Sequence, residues 1–276
     1  MNCFQVIKSV LDEAYQEIPG SPTKRDAEIV AALKDLRLKY RSVVYSGCIE
    51  YGDPVKRFAY LYCYTTMHAN LVYDICQRSP KLRTLLKLST FSMAAVGGGP
   101  GSDFLGIIKR CEEESLTPRI RLQIFDRDPA WGESWLELDA KLKGTLSLTK
   151  SFQTLDVTDP STWSQFKKHL KVDLVTLVYF MSEVYAKKKE ADPYFQNLFA
   201  NLKPGALVIF IDNNDSRIYG WLDDLAEGNG YTFLRKEETN ETMPWDEQLT
   251  DLGDYVKRFG KPRLKANRAY RLVQKK

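Results

Sequence analysis

The sequence predicts an α/β protein: a doubly wound, mostly parallel sheet of seven strands with an N-terminal helical extension. Two observations lead there. From residue 91 onward, short apolar runs alternate with segments of helical periodicity. That is the pattern of crossover units whose parallel sheet is buried on both faces. Before residue 91 the apolar residues recur at three- and four-residue spacing, the period of helices that bury one face. The expected division is a helical extension over 1–90 and a sheet domain over 91–276.

In the extension, Phe4, Ile7, Leu11, Ala14, Tyr15 and Ile18 form one helical stripe. Pro19, Gly20 and Pro22 break the chain, and Ser21-Pro22 reopens it as an N-cap followed by proline at the first helical position. Ala27, Val30, Leu33, Leu36 and Tyr40 form the next stripe. Asp53-Pro54 starts a third helix, apolar on two faces: Phe58, Leu61, Thr65, His68 and Val72 on one, Tyr60, Tyr64, Met67 and Leu71 on the other. Such a helix is expected between two layers, with His68 as a buried, satisfied side chain.

The predicted strands are FSMAAV (91–96), RIRLQIF (119–125), SFQTL (151–155), VDLVTLVYF (172–180), ALVIFI (206–211), YTFLRKE (231–237) and RAYRLVQ (268–274). Helices are predicted over 104–114, 129–142, 160–170, 193–202 and 217–228, and a helical insertion around 241–262. Three of them start with Asp-Pro, at Asp128, Asp159 and Asp192. There the carboxylate caps the helix and the proline gives up no needed donor.

Composition narrows the function classes. The 276 residues carry 40 basic and 36 acidic side chains, a net charge of +4, too mild to imply nucleic acid by itself. Basic residues do cluster, at Lys167–Lys171, at Lys187–Lys189 and in a tail from Lys257 to Lys276. Five scattered cysteines without CxxC and only two histidines argue against a disulfide framework and a structural zinc site. The expectation is no metal and a reducing, intracellular location, cytoplasmic or nuclear/nucleolar. No apolar run approaches the ~20 residues of a membrane span, and no signal-peptide pattern opens the chain.

The strongest local feature is MAAVGGGPGSDFLG (93–106), where glycines fall at 97, 98, 99 and 101 at the end of the first strand. Turns of this kind bind ligands in doubly wound folds, because bare backbone lies close to the ligand and the next helix presents free amides. The dinucleotide fingerprint fails, since Phe104 or Ser102 stands where its third glycine belongs. A phosphate-binding P-loop fails too, since no lysine occurs before Lys109.

The ordered series VGGGPG (96–101), IFDRD (124–128), LDVTD (155–159), LVYF (177–180) and NLKPGALVIFIDNN (201–214) resembles the motif series of class I S-adenosylmethionine-dependent methyltransferases over roughly residues 91–212. The resemblance implies a Rossmann-like fold with S-adenosyl-L-methionine as cofactor. It implies a cofactor site built from Gly97, Gly98, Gly99, Pro100, Gly101 and Asp103 with Asp126, Arg127, Trp131, Asp156, Val157, Phe180 and Met181. In it Asp126 accepts from the ribose hydroxyls, Trp131 lies over the adenine, Asp156 and the Val157 amide meet the adenine edge, and Phe180 and Met181 face the substrate. The family's acid at the end of the first strand is replaced by Ala95, and Arg57, Tyr60 or Tyr64 are candidates to take over its ammonium contact.

YFMSEVY (179–185) lacks the [DN]-P-P-[YF] of enzymes that methylate exocyclic amines of bases, and no cysteine nucleophile stands in this region or the sixth. Glu183 and Ser182 are the candidate catalytic residues, and DNND (212–215) is a second polar group. The N-terminal helices, the glycine turn and DRDP most resemble a eukaryotic methyltransferase group that includes ribosomal-RNA uridine-N3 methyltransferases. That likeness implies an RNA acceptor bound through the basic clusters. The alternatives are methylation of a protein or small molecule, and a catalytically silent binder of the cofactor.

Overall fold

The computed structural model describes residues 1–46, 49–142, 147–163 and 171–276. Its centre is a seven-stranded sheet of order β3-β2-β1-β4-β5-β7-β6, with β1 Thr90–Val96, β2 Arg119–Asp126, β3 Ser147–Thr154, β4 Leu174–Val178, β5 Leu207–Asn213, β6 Tyr231–Thr242 and β7 Lys265–Lys275. The first five strands pair in parallel, and β7 enters antiparallel between β5 and β6. Alternation along each strand feeds two cores. Phe91, Met93 and Ala95 of β1 point into one and Ala94 and Val96 into the other; on β5, Ile209 and Ile211 oppose Val208 and Phe210. Both faces are therefore apolar, as a parallel sheet requires.

One core is covered by α6 (Ser102–Glu113) and α7 (Trp131–Lys141), and the other by α8 (Pro160–Trp163), α9 (Met181–Val184), α10 (Lys188–Asn201) and α11 (Ser216–Gly228). Over the first lie α1 (Cys3–Glu17), α2 (Pro22–Ser46), α3 (Pro54–Tyr60), a π-helical segment (Leu61–Thr65), α4 (Thr66–Arg78) and α5 (Pro80–Leu86). Each large apolar side chain buried there contributes about 1.5–3 kcal/mol. The helix apolar on two faces is indeed sandwiched: Phe58, Leu61, Val72, Tyr60, Tyr64, Met67 and Leu71 are all buried. Its partner α6 approaches so closely that a Cβ on Gly106 would stand 2.2 Å from the Ala69 carbonyl oxygen. His68 is buried, meets the Tyr60 hydroxyl at 3.3 Å through Nδ1, and is pushed down to about 3 by burial, so it is neutral.

Three expectations change, and a fourth lies largely outside the described residues. The buried stripe of α2 is Ile29, Leu33 and Leu36, whereas Val30 is 48% exposed. Ala27 is exposed as well, so only the middle of the helix is covered. The predicted helix over 193–202 starts five residues earlier, so Pro193 lies inside α10. Asp192 therefore does not cap it, and accepts instead from Trp221 Nε1 at 2.7 Å. The insertion is less helical than expected. β6 continues to Thr242, and only a 3-10 turn at Leu249–Leu252 and α12 (Tyr255–Phe259) follow before β7. Lastly, only Pro160–Trp163 of the predicted 160–170 helix is described, and Lys167, Lys168 and His169 lie outside the described residues.

The insertion clamps the N-terminus. Glu247 accepts from the Cys3 and Phe4 amides at 2.9 and 3.0 Å, a carboxylate at the positive end of α1, and from Lys109 Nζ at 2.8 Å. Arg258 pairs with Asp26, while Tyr255 and Phe259 pack on Phe58. No described helix is long and apolar enough to cross a membrane. Among the described residues no group of His, Cys, Asp or Glu is arranged to hold a metal ion, and Cys3, Cys63, Cys76 and Cys111 are free and buried. Gly106→Ala is expected to lower stability by about 1–3 kcal/mol by forcing α4 off α6, measured as a shift in the urea unfolding midpoint.

Candidate functional site

β1 connects through α6 to β2 on one side, while β4 pairs on its other side. At such a reversal the helices part and leave a crevice beyond the strand ends, where ligands bind. A cleft is found there. Its walls are Gly97, Gly99, Asp126, Arg127, Trp131, Asp156, Val157, Phe180 and Glu183 among the expected residues, together with Tyr51, Tyr60, Asp128 and Tyr179. A water molecule's centre fits in only about 50 Å³ of it, so the cleft is a slit under an aromatic roof.

The floor is the glycine turn. The Gly97 and Gly98 amides both donate to the Phe125 carbonyl, at 2.8 and 3.1 Å, which hooks the end of β1 onto β2. Gly97 has φ +67, and a Cβ there would lie 2.0 Å from the Phe180 ring. Gly99 has φ +47, and its Cβ would point toward Trp131 and Asp126 at 3.8 and 3.9 Å, into the cleft. Gly97 is required by the Phe180 ring as well as by its backbone angle, and Gly99 by its backbone angle, since a Cβ there would make only ordinary contacts. Gly98, Pro100 and Gly101 shape the turn without lining the cleft; a Cβ on Gly98 would meet the Ala95 Cβ at 2.8 Å and one on Gly101 the Trp135 ring at 2.6 Å.

Asp126 closes the turn: Oδ2 accepts the Gly99 amide at 2.9 Å and Oδ1 the Asp128 amide at 3.1 Å. Asp128 holds the roof, accepting the Tyr51 amide through Oδ2 at 2.7 Å. Trp131 lies beneath Tyr51 and Tyr60, with ring centroids at 4.8 and 5.3 Å. Asp156 uses Oδ1 for a local turn, accepting from the Thr158 amide and hydroxyl at 2.8 and 2.7 Å, and still lines the cleft with Val157. Tyr179 adopts φ +52, a strained backbone for a bulky residue, and stacks on His68 with ring centroids 4.2 Å apart.

At the far wall, Glu183 Oε1 accepts from the Tyr40 hydroxyl at 2.6 Å, and that hydroxyl meets the Tyr51 hydroxyl at 2.6 Å. Loss of water around Glu183 pushes its carboxyl up to about 8. The same cause raises Asp126 and Asp212 to about 6 and Asp103 to about 7. Several expected residues stand elsewhere. Met181 and Ser182 are buried away from the cleft, and the Ser182 amide donates to Asp212 at 2.9 Å. Tyr64 packs between Tyr40 and Tyr60 and lines a neighbouring cavity. Asp103 is buried behind the turn, where burial raises its proton affinity and the Thr176 hydroxyl offsets part of the rise; Thr176 is the β4 register partner of Ala95. A buried carboxyl thus stands next to the position of the absent β1 acid, carried by α6. Arg57 does not reach the cleft; it donates to the Tyr51 and Gly52 carbonyls at 3.1 and 2.9 Å.

Tyr40, Tyr51 and Tyr179 are the residues that sequence reasoning missed. Tyr40 reads as one more apolar position of a helical stripe, and Tyr51 precedes the Gly52-Asp53-Pro54 break with no motif around it. Only the folding of α2 and the 49–53 segment over the sheet brings them to Glu183.

Fold and cleft together define the class: a doubly wound α/β protein with a cleft at its switch point. No family model matches the chain, and no curated protein matches it in sequence. Solved structures do match. An S-adenosylmethionine-dependent methyltransferase from Methanosarcina mazei aligns at 12% identity over 71% of this chain and 97% of its own, with TM-score 0.46. A candidate RNA methyltransferase from Pyrococcus horikoshii aligns at 13% over 90% and 98%, TM-score 0.45. An O-methyltransferase family protein from Burkholderia thailandensis aligns at 14% over 81% and 60%, TM-score 0.47.

The turn yields a stability prediction. Gly99→Ala is expected to cost about 1–2 kcal/mol from its backbone angle alone. Gly97→Ala is expected to cost a further 1–3 kcal/mol or so, because Phe180 must move. Urea midpoints of the two variants check the order.

Proposed function

We propose that the protein is an S-adenosyl-L-methionine-dependent methyltransferase acting on an RNA base with a weakly acidic ring N–H, of the uridine-N3 kind. The observation that carries the cofactor is the convergence of Gly99, Asp126, Trp131 and Asp156 on one slit at the switch point. The fit is chemical as well as spatial. Bare backbone at Gly99 leaves room that a Cβ would fill, and Asp126 and Asp156 offer carboxylate oxygens to hydroxyl and amino donors. Trp131 offers a flat ring face. When bound, S-adenosylmethionine supplies a methyl group on a sulfonium, whose carbon–sulfur bond breaks with its electrons left on sulfur as the acceptor's lone pair attacks.

The chain's own part is to orient the acceptor and take its proton. Glu183 stands at the cleft wall with its carboxyl held at about 8, and Tyr40 and Tyr51 fix its direction. A base with raised proton affinity suits an acceptor whose N–H is only weakly acidic. The aromatic roof of Tyr51, Tyr60 and Trp131 keeps water off the reacting atoms. None of the described cysteines lines the cleft, which agrees with direct transfer to a nitrogen lone pair.

Calorimetric titration with S-adenosylmethionine is expected to give micromolar binding, on the order of −8 kcal/mol; absence of heat and of any thermal shift refutes the cofactor. Gly99→Val is expected to abolish that binding while leaving a folded chain by circular dichroism. Asp126→Ala is expected to weaken it by about 1–3 kcal/mol. Because Glu183 must be ionised to accept a proton, single-turnover transfer is expected to rise with pH up to about 8 and then level. Glu183→Gln should lower the rate by about 10²–10⁴ and flatten the profile with cofactor affinity unchanged. Labelled cofactor offered to fractionated RNA, protein and small molecules tests the acceptor, and label confined to protein or small molecules overturns the RNA reading.

A further inference from the structure

The basic tail read from the sequence is largely neutralised in the fold. Arg258 pairs with Asp26, Lys257 with Asp254, Arg268 with Glu241, and Arg271 with Asp223 and Glu238. Lys275 donates to the Phe199 and Asn229 carbonyls. Lys261 and Arg263 are different: among the described residues neither forms an ion pair. They follow α12 and face Arg37 and Arg41 of α2, which form none either, and the four line one open cavity of about 570 Å³ with Tyr40 and Tyr64. Among the described residues no carboxylate lines it.

The cavity is built. The Arg37 guanidinium donates to the Lys261 carbonyl at 3.2 Å, and the Arg263 amide donates to the Cys63 carbonyl at 3.0 Å, so the 261–263 segment, α2 and the π-helical segment hold one another. Tyr40 and Tyr64 meet with ring centroids at 4.8 Å, and Arg263 lies 6.0 Å over the Tyr64 ring. Asn213, at the carboxyl end of β5, closes the inner side. Tyr40 links it to the cleft: its ring lines the cavity and its hydroxyl is on Glu183, which lines the cleft. Four cations gathered without counter-charge repel one another, and a bound anion relieves that repulsion. Guanidinium forks beside aromatic rings match a phosphate next to a base or sugar.

We propose that this cavity seats a phosphate group of the methyl acceptor, so that the acceptor is a nucleotide whose base reaches Glu183 past Tyr40. The assignment rests on the methyltransferase reading for its role as an acceptor site, but the binding itself does not. A free nucleotide and a strand share the chemistry.

The test is binding of the full chain to uridine 5′-monophosphate, to a short labelled oligouridylate and to uridine as the uncharged control. Wild type is compared with Arg37→Gln/Arg263→Gln and with Arg41→Gln/Lys261→Gln. Titration of S-adenosylmethionine into each variant and thermal melts report the fold and the neighbouring cleft. The proposal expects a phosphate-bearing probe to bind wild type, uridine to bind far more weakly, and each double variant to lose about tenfold or more with unchanged cofactor heat. Binding of the monophosphate assigns a free nucleotide. Binding of the oligouridylate alone assigns a strand, and each arginine removed then lowers the salt slope by about 0.7. Failure of both phosphate probes, or equal binding by wild type and both variants, overturns it. Loss of cofactor heat in wild type with phosphate binding retained refutes the methyltransferase reading and leaves the anion site standing.

Discussion

The rest of the site depends on how the chain bends at the end of β1. Two amides of the glycine turn share the Phe125 carbonyl, and a third donates to Asp126. These bonds lock the tips of β1 and β2 together and leave the Gly99 backbone facing open space. They also set the direction of the Asp126 carboxylate. Without them Phe180 would lose the flat surface at Gly97 on which its ring rests, and the slit between the strand ends would have no floor.

The roof comes from a different part of the chain. Tyr51 is fixed by Asp128 from one side and by Arg57 from the other. Tyr40 reaches Glu183 from α2. The N-terminal helices are in turn held by the segment before β7, through Glu247 at the start of α1 and Arg258 on Asp26. A segment about 240 residues away in sequence thus helps decide where Tyr40 and Tyr51 stand. Mutations in that clamp should loosen the roof before they disturb the sheet, since the strand ladders do not depend on it.

Charge is sorted by the same packing. Arg268 and Arg271 are buried and surrounded by acids, where an unpaired cation would be strongly disfavoured. Lys261 and Arg263 stay at the surface, where an unneutralised charge is tolerated and remains available. Carboxyls gather instead at the strand ends, where withdrawal from water raises their proton affinity. The cleft therefore holds proton acceptors and the cavity beside it holds anion acceptors, with a tyrosine between them.

The sequence by itself determined the sheet, its seven strands and the cleft floor. Strand alternation, Asp-Pro starts and clustered glycines are local signals, and they act over a few residues. Gly97, Gly99, Asp126, Trp131, Asp156 and Glu183 were legible for that reason: each lies at the end of a strand or within the turn and first helical residues that follow it. The exchange of Pro193 from first turn to helix interior, the extended β6 and the burial of Ser182 and Met181 were decided by neighbours distant in sequence. So were the arrival of Tyr40 and Tyr51 at Glu183, the placement of Asp103 beside the partner of Ala95, and the choice of which basic residues stay unpaired. A periodic pattern says which face of an element is buried. It does not say against what, and in this chain that depends on helices packing across the sheet from both termini.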